Sequence, residues 1–130
     1  MLKKILLSAA VLTFGLTGQA AYAQQGQFQR IELEKVELPG TQYNVVLVLA
    51  DIPAGFTVDR HTHPGVEAGY VLQGDGDFIV EGQPDRHLKT GDHFKIGGPL
   101  PHIFRAGPAT KILVTYVVDK TKPLASPAPK

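Results

Sequence analysis

Gly55-Phe56-Thr57-Val58-Asp59-Arg60-His61-Thr62-His63-Pro64-Gly65-Val66-Glu67-Ala68-Gly69-Tyr70-Val71-Leu72-Gln73-Gly74 is the stretch that decides how this chain is read. Two short runs rich in β-branched and aromatic residues flank the Pro64-Gly65 break, which gives strand, turn, strand. His61 and His63 lie two apart in the first run, and the two-residue period of a strand puts both imidazoles on one face. The turn returns the chain so that Glu67 opens the second run beside them. A carboxylate folded back against two imidazoles is a costly desolvated charge unless something pairs with it. A shared metal ion is such a partner. On regular strands Arg60 and Thr62 point away from the histidines, and Tyr70 and Leu72 point away from Glu67.

The same texture continues on both sides of this stretch. Runs of Val, Ile, Leu, Tyr and Phe are separated by Gly, Pro and Asp, and no helical period of any length interrupts them. Strands are expected near 31–37, 43–50, 56–62, 67–73, 77–81, 86–89, 92–96, 102–105 and 110–118. Turns are expected at Pro39-Gly40, Pro53-Ala54-Gly55, Gly74-Asp75-Gly76, Gly82-Gln83-Pro84, Thr90-Gly91-Asp92 and Gly97-Gly98-Pro99. Val45–Leu49 and Ile112–Val118 are apolar on both faces, so each is expected to be covered twice, inside a double-layered fold or at a subunit contact. The fold class is all-β, a sandwich or barrel. His102 follows the rigid Pro99-Leu100-Pro101 segment and is positioned to arrive from a separate strand. Imidazoles with one carboxylate suit Fe, Mn, Co, Ni, Cu or Zn better than Mg or Ca.

These residues resemble the motifs of a known family, the cupins, in their small single-domain, RmlC-like form. The first cupin motif (Gly, five residues, His-x-His, three or four residues, Glu, six residues, Gly) is complete from Gly55 to Gly74. The second is matched from Gly91 to His102 with its Gly-to-His interval intact. Gly97 stands where the family has Pro, Pro99 where it has Gly and Ala106 where it has Asn. The likeness covers about residues 45–118. It implies a single antiparallel double-sheet jelly-roll barrel with one divalent metal ion inside. The residues matching the family ligands are His61, His63, Glu67 and His102, with one or two positions left for water or substrate. His93 and His87 match no ligand position and are read as partner or surface residues. Tyr43, Phe78, Phe94, Phe104 and Tyr116 are read as core or pocket wall.

The chain begins with Lys3 and Lys4, an apolar run from Ile5 to about Leu16, and a small-residue stretch ending Ala21-Tyr22-Ala23. That order is expected to be a secretory signal peptide over residues 1–23, rather than a membrane anchor, and the product to be periplasmic or secreted. Residues 24–120 are expected to be the barrel domain, with 24–30 as a flexible polar leader. Residues 121–130, with three prolines, are expected to be an extended tail rather than a strand. Without Lys3 and Lys4 the formal charge of +1 becomes −1. A near-neutral domain without a basic run carries no footprint for nucleic acid or an anionic membrane surface. The absence of cysteine excludes disulfides and thiolate ligation. A core this small gains from a metal or a second copy, and a homodimer is expected through an outer sheet face, where Tyr70 and Leu72 lie.

Two functions fit this sequence. One is a metal-dependent enzyme acting on a small organic molecule, of dioxygenase type with a redox-active ion or of isomerase, decarboxylase or hydrolase type with an inert one. The other is a non-catalytic module of the same fold that binds a small molecule or stores metal. No Ser-His-Asp or Cys-His arrangement competes with the metal. Metal affinity is expected to fall as pH drops through the range of free histidine, near ~6.5.

Overall fold

The computed structural model describes residues 26–129. The expected signal segment therefore lies outside the described residues. The described chain folds into ten strands: β1 (Gln29–Glu37), β2 (Tyr43–Ile52), β3 (Thr57–Thr62), β4 (Gly65–Gln73), β5 (Asp75–Val80), β6 (Arg86–Lys89), β7 (His93–Ile96), β8 (His102–Ala106), β9 (Thr110–Asp119) and β10 (Ser126–Pro127). Among the described residues there is no helix, and so none long and apolar enough to cross a membrane. Two antiparallel five-stranded sheets face each other, ordered β1-β2-β9-β4-β7 and β10-β3-β8-β5-β6. This is the jelly-roll arrangement, in which two sheets bury their inner faces together.

Strict alternation builds the core. Val46, Val48, Ala50 and Ile52 of β2 face inward, as do Ile112, Val114, Tyr116 and Val118 of β9. The intervening Val45, Leu47, Leu49, Leu113 and Val117 are half-buried on the outer face. The doubly apolar runs are thus the central strands of one sheet, flanked by β1 and β4. Phe78 and Phe94 stack across the core with ring centroids 4.4 Å apart, joined by Phe104. Gly69 makes that stack possible, because any Cβ there would overlap the Phe94 ring. Gly74, at φ +80°, closes the β4–β5 turn where a side chain would press on the Ala109 carbonyl.

Three expectations are corrected. Residues 24–30 are not leader throughout: β1 begins at Gln29, and Phe28 packs against the core. The tail carries a short strand after all, since Ser126 and Pro127 pair with Thr62 and His61. Apolar packing of Leu124 draws that segment onto the barrel. Tyr43 is 39% exposed rather than core, because the alternation of β2 puts it on the outer face with Val45, Leu47 and Leu49.

Candidate metal centre

β3 does not run regularly into the site. Val58 faces inward, and unbroken alternation would send Arg60 and Thr62 inward and the two histidines out. One extra residue on β3 prevents this. Val58 pairs with Phe104 and His61 with His102, so three steps on β3 match two on β8. Such a bulge re-aims the side chains that follow it. His61 and His63 therefore turn inward, while Arg60 turns out to pair with Glu81. The same pairing places His102 directly across from His61, with ring centroids 4.2 Å apart. Glu67 and Tyr116, cross-strand partners on β4 and β9, come from the facing sheet.

Each imidazole is held by its outer nitrogen. The Nδ1–H of His61 donates to the Asp59 carbonyl at 2.7 Å, that of His63 to the Leu124 carbonyl at 2.7 Å, and that of His102 to the Leu100 carbonyl at 2.9 Å. A carbonyl only accepts, so Nδ1 must carry the proton, and each neutral ring turns a bare Nε2 lone pair inward. Such backbone anchoring orients histidine ligands in metal sites. The coordinating atoms of His61, His63 and His102 lie within 4.8 Å of one another, so these three residues can hold a metal ion.

Glu67 completes the inner face. One carboxyl oxygen lies 3.2 Å from His63 Nε2 and the other 3.3 Å from His102 Nε2. Burial drives all of these groups toward their neutral forms. It lowers the pKa of His63 to about 3 and that of His102 to about 4, and it raises that of Glu67 to about 8. His61, partly exposed at the mouth, is also lowered, again by burial. A neutral carboxyl has one proton to donate and faces two acceptor nitrogens. At least one of them goes without, and His63 Nε2 is buried with no hydrogen-bond partner. A cation at the centre satisfies these lone pairs together, so the residues fit the metal.

The remaining predicted residues fall where their roles require. Phe78, Phe94, Phe104 and Tyr116 wall the chamber, and the Tyr116 ring packs on His63 at 4.5 Å. Burial raises the Tyr116 hydroxyl above its usual range, with Glu67 adding to the effect, so it stays protonated. His93 is exposed on β7, and His87 is exposed between Asp75 and Asp77. Sequence reasoning missed Phe28, Arg30 and Leu124. The Phe28-x-Arg30 alternation leading into β1 was the available signal for the first two. A backbone carbonyl such as that of Leu124 leaves no signal at all.

The family model for the cupin domain (Cupin_2) matches residues 48–118. The chain belongs to the cupin family. Dimethylsulfoniopropionate lyase DddQ from Ruegeria pomeroyi is 39% identical over 54 residues, which are 42% of this cupin and 27% of the lyase. The crystal structure of that lyase matches with a TM-score of 0.64 at 23% identity, over 91% of this cupin and 59% of that chain. A cupin superfamily protein from Desulfitobacterium hafniense gives a TM-score of 0.63 at 18% identity, over 75% and 83% of the two chains. Salicylate 1,2-dioxygenase from Pseudaminobacter salicylatoxidans gives 0.52 at 18%, over 55% of this cupin and 20% of that enzyme. This cupin spans less than two thirds of the lyase and one fifth of the dioxygenase. The structural matches establish the fold.

Proposed function

We propose that this cupin is an exported, metal-dependent enzyme acting on a small organic molecule, with His61, His63, Glu67 and His102 as ligands of one divalent ion. The observation that carries this reading is the set of three imidazoles locked to backbone carbonyls around a buried carboxyl, with His63 Nε2 lacking a partner. The bound ion supplies Lewis-acid polarisation of a substrate oxygen and, when redox-active, electron transfer with dioxygen. The protein's own part is to orient the imidazoles, exclude bulk water and handle a proton. Burial keeps Glu67 protonated near neutral pH only while the centre is empty. As a ligand it is a carboxylate, and an oxygen left free can accept a proton from the substrate. Similar proteins include a lyase and a dioxygenase, so the fold leaves the reaction class open and the metal decides it.

Elemental analysis of protein purified from its native compartment tests this reading. One equivalent of Fe, Mn, Ni or Cu favours the oxygenase form, and one of Zn the Lewis-acid form. Metal-free protein that cannot be reloaded favours a non-catalytic binding module. A metal that binds only the folded state at ~100 times its dissociation constant adds ~2.7 kcal/mol, so a chelator should lower Tm measurably. An unchanged Tm in protein shown to lose its metal rules out a contribution of that size.

A further inference from the structure

Among the described residues, Arg30 is the one lysine or arginine that lines the inner cavity. It pairs across strands with Ala50, whose small side chain faces inward and leaves room for the guanidinium. There it lines the chamber with His61, His63, Glu67 and His102, a cavity of about 50 Å³. It also lines an adjoining outer cavity of about 370 Å³, walled by Phe28, Phe56 and the Ala125–Pro127 segment. Arg30 therefore stands at the throat between the two. One face of its guanidinium lies over the Phe28 ring, 4.7 Å from the centroid. The Tyr116 hydroxyl lies near it on the chamber side. No carboxylate among the described residues forms an ion pair with it. Of the described lysines and arginines only Arg60, Lys111 and Lys120 have such partners, and Arg30 alone of the unpaired ones lines the chamber.

A half-buried arginine without an ion-pair partner, lining both cavities, is positioned to meet an anion there. Once an ion occupies the histidine centre, its two positive charges meet one carboxylate, Glu67, and Arg30 adds another positive charge. The excess is then positive in the chamber and at its throat, while the outer cavity also carries Asp59 and Arg60, the latter paired with Glu81. With Phe28 covering one face, the guanidinium binds through its N–H edge, whose fork matches a planar carboxylate. The apolar wall of Phe28 and Phe56 suits the carbon skeleton of an organic acid.

We propose that Arg30 is the substrate-binding residue for a small organic carboxylate, which it holds at the throat while the reacting group enters the chamber. This rests on the metal-centre reading and adds the substrate class. Calorimetry with the full chain, metal-loaded and metal-free, would titrate benzoate against benzamide, propionate against propionamide, and inorganic phosphate. The expected result is that at least one acid binds about tenfold or more tightly than its amide, and more tightly than phosphate. Arg30→Gln should erase that preference while metal content stays at the wild-type level, and Arg30→Lys should retain part of it. Equal binding of acid and amide, binding of neither, tighter phosphate, or a preference that survives Arg30→Gln would overturn the proposal. Failure of the metal reading shows separately, as wild-type protein that takes up no metal whatever its carboxylate preference.

Discussion

Glu67 is where pH should act on this cupin. In the folded protein burial holds His63 and His102 neutral down to about 3 and 4, below the range of free histidine. Glu67 keeps its proton up to about 8, and a metal it ligates as proposed would have to displace that proton. Apparent affinity should rise about tenfold per pH unit from pH 6 to 8 and level off above that. In Glu67→Gln, which keeps the shape and one oxygen donor, binding should be weaker at pH 8 and nearly flat with pH. A slope unchanged in Glu67→Gln would remove Glu67 from the ligand set. Without metal the linkage runs in two directions. The depressed histidines cost stability as pH falls below 6.5, the unfolded value, until it passes the folded values. The raised carboxyl costs stability as pH rises from 4.5 through about 8. Metal-free protein should therefore be most stable between these limits, near pH 6 to 7, in urea titrations across the range. His61→Ala, His63→Ala and His102→Ala should each remove most of the bound metal, while His87→Ala and His93→Ala leave it unchanged. Loss in the His93 variant equal to that in His61 would displace the site.

Single strands show where sequence reading stops. β4 was legible: Glu67, Gly69 and Val71 face the core while Tyr70 and Leu72 face out, as alternation requires. Gly69→Ala should force its new Cβ into the Phe94 ring, with the Phe78 ring stacked behind it. The expected cost is ~1–3 kcal/mol. Chemical denaturation would read this loss, and full stability would mean that the aromatic pair can shift. β3 was legible only by assuming regularity. Regularity put the two histidines on one face, as found, but with Val58 inward a regular strand would have turned that face out, and only an extra residue brings all three inward. A bulge follows from pairing with a distant strand, and nothing local in Asp59-Arg60 announces it. β1 shows the converse: Phe28 and Arg30 were read as polar leader because their contacts with the chamber come from elements far along the chain.

The order of nine strands and the all-β class were legible in the whole sequence, since turn residues and alternation punctuate every segment, while the double-sheet barrel came from the likeness of the motifs to the cupins. What was hidden depends on surfaces meeting. Ile31, Leu33 and Val36 on β1 and Tyr70 and Leu72 on β4 are exposed on the five-stranded sheet that carries Glu67. A homodimer through that sheet is expected, and sedimentation showing only monomer at micromolar concentration would exclude it. N-terminal sequencing of the exported form should read from Gln24, and a soluble product retaining Met1 would exclude processing there. The tail contact links the centre to the history of the chain itself. The carbonyl that fixes His63 belongs to Leu124, 61 residues later. At ~5–20 residues per second, a ribosome needs roughly 3–12 s to get from one to the other. Throughout that interval the first histidine pair exists without its last anchor. Nascent chains stalled before Leu124 should therefore capture metal poorly, and loading should follow synthesis rather than guide it.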